Sequence, residues 1–188
     1  MLEAVLDSMS SIASINDFGP YYATFMPGLK QVVSMVSSDT PQKINIKSKT
    51  IETMGDLLSS IKENPELFNN ECTVIMQSLM SLQGQIDRED VLNRAIMTVY
   101  ENVVEVLKEN FSIYSDFVFE RAMEAAIRPV DVQIIDELDK EKEGKKGLMH
   151  NYAKLKLDLK IDGIKNIVLN TDTFSQKIQA TNLISAMA

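Results

Sequence analysis

Residues 40–65 read TPQKINIKSKTIETMGDLLSSIKENP, and a helix with both its ends is legible in that one stretch. Thr40-Pro41 supplies a capping hydroxyl and then a proline at the first helical position, where its missing N–H removes no intrahelical bond. Ile44, Ile51, Met54, Leu58 and Ile61 follow at helical spacing and form one apolar stripe. Asn64-Pro65 repeats the opening device, so a second helix begins almost at once.

Working outward from this stretch, apolar residues keep a helical period nearly everywhere up to Pro129. A helix over roughly residues 2 to 15 runs through Leu2, Val5, Leu6, Met9 and Ile12. Gly19-Pro20 separates it from one carrying Tyr22, Phe25, Met26, Leu29, Val32, Val33 and Val36, with Pro27 inside and expected to kink it. The fourth helix, after Pro65, carries Phe68, Val74, Ile75, Leu79 and Leu82. Asp87 is expected to cap a fifth, along Val91, Leu92, Ile96, Val99, Val103 and Val106, and Ser112 opens a sixth that ends at Pro129.

These helices repeat. In the even-numbered ones the aromatics Tyr22, Phe68 and Tyr114 stand 46 residues apart each time. In the odd-numbered ones the small residues Ala4, Thr50 and Ala95 stand 46 and 45 apart. A helix pair recurring every 40 to 47 residues or so is the period of HEAT and armadillo solenoids, whose pairs bury their apolar faces by stacking. The expected fold is therefore an all-α HEAT-repeat solenoid. Its parts are a single helix over 1–17 and repeats over 18–62, 63–109 and 110–188.

The last repeat is interrupted, because the next match to the odd register, Ala180, comes 85 residues after Ala95. An insertion is thus expected at about 130–172. Its first part, Asp131 to Gly147, holds six acids and four bases and reads as a solvated loop. Its second part alternates Leu155, Leu157, Leu159 and Ile161 with Lys154, Lys156, Asp158 and Lys160. That run reaches Asp162-Gly163 and continues to Leu169, the pattern of a β-hairpin, with an extended loop as the alternative.

Composition narrows the function. The 188 residues carry 27 acids and 19 bases, net −8, and 45% apolar side chains. General disorder is excluded, and with no Lys/Arg cluster to follow a phosphate backbone, a nucleic-acid partner is disfavoured and basic partners are favoured. No apolar run reaches the roughly 18 residues of a membrane span. The lone Cys72 and an N-terminus that lacks signal-peptide bases lead to the expectation of a reducing, intracellular setting.

No catalytic, cofactor-binding or metal constellation stands out. His150, the one histidine, has no orienting partner in the sequence. Cys72 lies on an apolar helix between Phe68 and Ile75 and reads as core. Gly144-Lys145-Lys146-Gly147 lacks the strand and hydroxyl of a phosphate loop, and the sequon Asn110-Phe111-Ser112 is a chance match. The eleven methionines are scattered over helix faces. More informative is polarity. Lys49, Glu52, Thr53, Asp56 and Ser60 fall opposite the apolar stripe of the third helix, and Thr98, Glu101, Asn102 and Glu105 on the fifth. The repeat register pairs Asp56 with Glu101 and Ser60 with Glu105. Two readings stay open: a solvated helix face, or an acidic ladder for a basic peptide.

Four segments resemble a known family. Phe18-Gly19-Pro20-Tyr21-Tyr22-Ala23-Thr24-Phe25-Met26-Pro27-Gly28-Leu29-Lys30 looks like the A helix of a central HEAT repeat in the importin-beta family, and Lys49-Thr50-Ile51-Glu52 resembles the start of its partner B helix. Gly163-Ile164-Lys165 and Lys177 to Ala188 are similar to the helix that resumes after that family's long acidic insertion. The insertion here mixes Lys140, Lys142, Lys145 and Lys146 with its acids, so an acidic-loop role does not carry over. The resemblance implies a karyopherin-type nuclear transport receptor: a non-enzymatic superhelix without cofactor, shuttling between cytoplasm and nucleus. Its expected partners are Lys/Arg-rich cargo inside, FG nucleoporins outside and Ran carrying GTP for release. Glu52, Asp56, Glu101, Asn102 and Glu105 would be the carboxylate and amide partners of the cargo. The rival reading is a HEAT scaffold subunit with no transport role. The chain is expected to be an internal piece of a longer solenoid, with exposed apolar area at Leu2, Val5, Leu6 and Met9 and at Leu183 and Ile184.

Overall fold

The computed structural model describes residues 2–15, 18–88, 90–130, 132–136, 152–159 and 163–188. Seven α-helices lie among them: α1 (Leu2–Ile15), α2 (Tyr22–Met35), α3 (Pro41–Ser59), α4 (Pro65–Gln85), α5 (Leu92–Leu107), α6 (Ser112–Ile127) and α7 (Thr171–Met187). Helices α1, α3, α5 and α7 pack successively against one another as a row, while α2 lies on α3, α4 on α5 and α6 on α7. This is a two-layer stack of helix pairs, the solenoid that the 46-residue period predicts.

The caps form as the sequence dictates. Thr40 Oγ1 accepts the Lys43 N–H at 3.3 Å and Asn64 Oδ1 the Leu67 N–H at 3.2 Å, each followed by its proline. Pro27 sits inside α2, yet the helix continues to Met35. Asp87 does not cap α5. That helix starts at Leu92, whose N–H is taken by Asp90 Oδ1 at 2.9 Å. Asn93 fixes the preceding turn, since its buried amide donates to the carbonyls of Asp87 and Asp90 and accepts from Gln83. Tyr100 donates in turn to Gln83 at 3.2 Å, so a buried polar chain joins α4, the turn and α5.

The aromatic register ends in the core, since Tyr22, Phe68 and Tyr114 are all buried. In the small-residue register Thr50, Ala95 and Ala180 are buried, while Ala4 on the first helix is exposed. Close approach of α3 and α5 depends on Gly55, where an added Cβ would lie 3.0 Å from Val99 Cγ2 and 3.3 Å from Asn102 Nδ2.

The insertion holds a three-stranded antiparallel sheet, β1 (Val132–Asp136), β2 (Tyr152–Leu159) and β3 (Gly163–Asn170), in the order β1-β3-β2. The hairpin forms, with Leu159 opposite Gly163 and Tyr152 opposite Asn170. Strand β1 corrects the solvated-loop reading for residues 132–136, since Val132 pairs with Leu169 and Asp136 with Lys165; residues 131 and 137–147 lie outside the described residues. Val132, Ile134 and Ile135 are β-branched, which suits them to a strand, and the charged run behind them masked that signal. His150 and Gly144 to Gly147 lie outside the described residues. Asn170 caps α7 by accepting the Asp172 and Thr173 N–H groups, and α7 also touches β2 and β3.

The ends need a correction as well. Leu6 and Leu183, expected to be exposed, are 3% and 0% exposed, and Met9 and Ile184 are partly buried. Each terminal helix turns one stripe inward, α1 onto α3 and α7 onto α5 and α6. The exposed apolar residues are Leu2, Val5 and Ile12 on α1 and Phe174 and Ile178 on α7.

Candidate functional site

The polar faces of α1, α3 and α5 meet along the row, and a regular set of side-chain bonds crosses between them. Asn45 donates to Glu3 at 2.8 Å, Lys49 pairs with Asp7, and Arg94 pairs with Glu52 at 3.1 Å. Each of these links spans 42 residues. A second series spans 46: Ser10 donates to Asp56, which also receives a hydrogen bond from Asn102. One α-helical turn separates Glu52 from Asp56, so both series run along the same side of α3.

Of the five residues picked from sequence, four are already bonded within the chain. Glu52 is held by Arg94, Asp56 by Ser10 and Asn102, and Glu101 accepts the Gln179 amide of α7. Glu105 is exposed. The residue of α5 that reaches Asp56 is Asn102, one position beyond the Glu101 that the repeat register pairs with it. The cause is the register itself: the small residues Thr50 and Ala95 stand 45 apart, whereas the Asp56 contact follows an interval of 46.

Burial pushes the Glu52 carboxyl above its ordinary range, with Arg94 and Lys49 opposing the shift and Asp56 and Asp7 adding to it. Asp56 is raised for the same first reason, opposed by its bonds from Ser10 and Asn102. Asp7 and Glu52 are thus paired with Lys49 and Arg94, while Asp56 is held by the neutral donors Ser10 and Asn102 where water is partly excluded. Among the described residues no three His, Cys, Asp or Glu side chains come together to hold a metal ion. Cys72 is buried and its thiol is pushed up to about 11 by that burial, which suits a core residue and not a nucleophile. No described helix is long and apolar enough to cross a membrane.

No family model matches the chain. It is similar in structure to Kap121p. Against Kap121p bound to Pho4p the TM-score is 0.65 at 20% identity. Against Kap121p bound to RanGTP it is 0.62 at 21%, and against Kap121p bound to Nup53p 0.63 at 21%. In each case the likeness covers 98% of this chain and 16% of the other. At that identity the likeness concerns the fold: this chain has the HEAT-solenoid architecture of a segment of Kap121p.

Proposed function

We propose that this chain is a segment of a karyopherin-type nuclear transport receptor of the importin-5 (karyopherin beta-3) kind, a binding module and not an enzyme. In this reading 1–17 is the B helix of a partial repeat, and 18–62, 63–109 and 110–188 are successive HEAT repeats. Lys/Arg-rich cargo binds the wall of α1, α3 and α5, where Glu52, Asp56, Glu101, Asn102 and Glu105 lie, while Ran carrying GTP and FG nucleoporins are the further partners. The receptor shuttles between cytoplasm and nucleus. The supporting observation is the row of carboxylates along stacked helices, in a fold shared with a protein solved with Ste12p, Pho4p, Nup53p and RanGTP.

One observation favours a second reading, the scaffold subunit. Glu52, Asp56 and Glu101 are bonded by the chain's own side chains, as they would be if the wall only held the stack together. Titration calorimetry with a Lys/Arg-rich peptide separates the two. A receptor wall binds it with an affinity that falls steeply with salt. Each exposed ion pair contributes about 0–1 kcal/mol, so Glu101→Lys with Glu105→Lys should weaken binding about tenfold. Absence of binding at low salt, or affinity indifferent to that pair of changes in a folded chain, supports the scaffold.

A further inference from the structure

We propose that the groove between α2 and α4, over α3, docks an acidic peptide segment whose carboxylate binds Lys47. The stripe of α3 runs Ile44, Ile51, Met54, Leu58 and Ile61, and the helical period calls for an apolar residue at 47, where the sequence has lysine. The structure buries that lysine: Lys47 is 9% exposed, with no hydrogen bond or ion pair among the described residues. It lines a groove of about 370 Å³. Every buried side-chain nitrogen and oxygen among the described residues has a partner, so the unpartnered ammonium of Lys47 reaches the open groove while its stem is packed. Lys30, at the same groove, is already neutralised by Glu71 at 2.8 Å. Lys47 is therefore an uncompensated cation in a chain of net charge −8.

The remaining lining specifies the kind of anion. Met54, Ile75 and Leu79 provide an apolar floor for an aliphatic neighbour of the acidic residue. Ser34 and Ser78 commit their hydroxyl protons to the carbonyls of Gln31 and Val74, so they turn lone pairs to the groove. Lone pairs repel a phosphate's outer oxygens and accept the backbone N–H of a peptide. Ser81 accepts from Gln85 and keeps its own proton to donate. One cation, one hydroxyl donor, acceptors for amides and an apolar floor fit an Asp or Glu within a peptide better than a polyanion. This site is separate from the carboxylate wall and takes the opposite charge, so its test does not depend on that wall.

The test titrates acetyl-Leu-Asp-Leu-amide, its Asn counterpart and inorganic phosphate into the 188-residue chain, with NMR following the Gln85 side-chain amide and the backbone amides of Ser78 and Ser81. The expected result is at least fivefold tighter binding of the Asp peptide than of the Asn peptide, with shifts confined to the groove. Lys47→Met should abolish that difference and Lys47→Arg should keep part of it. Equal binding of the two peptides, shifts elsewhere, or phosphate binding as well as the Asp peptide would overturn the proposal. The unmodified chain decides the matter even if Lys47→Met fails to fold.

Discussion

Between α1, α3 and α5 the side chains cross-link at fixed intervals, whereas between α2 and α4 the links converge on one residue, Glu71, which takes Tyr22 at 2.9 Å and Lys30 at 2.8 Å. The first row packs closely enough to require Gly55. The second leaves a groove, and it leaves Phe25 on α2, Val74 on α4 and Phe119 on α6 exposed. Stacked repeats therefore need not be equally tight in both layers. Between α3 and α5 close packing fixes the spacing of the pairs, while between α2 and α4 a groove stays open, and a binding module can use both.

The largest expected effects break the close row. Leu58→Ala in α3, at a side chain 1% exposed, should cost about 2–5 kcal/mol in urea unfolding, while Val74→Ala in α4 should stay within about 0.5 kcal/mol. Similar losses at the two sites would contradict the contrast. Glycine sharpens it further. Gly55→Ala forces a methyl against Val99 and should cost about 1–3 kcal/mol. Gly84→Ala in α4, where nothing lies within 4 Å of the new atom, should stabilise by about 0.5–1 kcal/mol through helix propensity. Thermal unfolding that moves both the same way would refute the assignment.

Carboxylates in the two rows should respond to pH with opposite sign. Glu52 and Asp56 are raised by burial, so the folded chain holds protons that the unfolded chain has released. Their charge costs stability as pH climbs from the usual carboxylate value near 4 through their folded values. For Glu71 burial also opposes ionisation, but the bonds from Lys30 and Tyr22 and the Lys30 charge outweigh it and lower the carboxyl. Its contribution is present above the unfolded value and is lost as pH falls through the folded one. Glu52→Gln with Asp56→Asn should flatten the decline on the alkaline side of that range, and Glu71→Gln should remove a gain of about 0.5–1 kcal/mol at pH 7. Urea midpoints between pH 3 and 7 measure both. Matching signs would show that the rows do not differ in this way.

Much of this was legible in the sequence because repetition acts at every level. Tyr22, Phe68 and Tyr114 announce the stacking, and Thr40-Pro41 and Asn64-Pro65 the helix starts, through local backbone chemistry that tertiary contacts leave intact. Strand β1 was hidden, since five residues beside a long charged run look like loop until β3 offers them an edge. The ladder was legible in residue type but not in partner. A one-residue difference between the two repeat spacings decides whether Asp56 meets Glu101 or Asn102, and only packing around Gly55 settles it. Lys47 was visible as the gap in an otherwise regular apolar stripe, yet a single lysine there has meaning only once its burial is known.

The smallest effect expected is also the one that connects the close row to function. Arg94 holds Glu52 at 3.1 Å with its own side chain 45% exposed, so the pair is screened by solvent. A double-mutant cycle of Arg94→Ala and Glu52→Gln should give a coupling of about 0.2–1 kcal/mol that fades in salt. If the wall is a cargo site, Arg94 competes there with the cargo's own cations. Removing it should then free Glu52 and tighten a Lys/Arg-rich peptide about threefold, while Lys49→Ala does the same for Asp7 more weakly, because Asp7 is the more exposed carboxylate. Calorimetry at two salt concentrations reads the change directly. Unchanged or weaker affinity in the Arg94 variant would mean that these bridges serve the stack alone, and would return the wall to the scaffold reading.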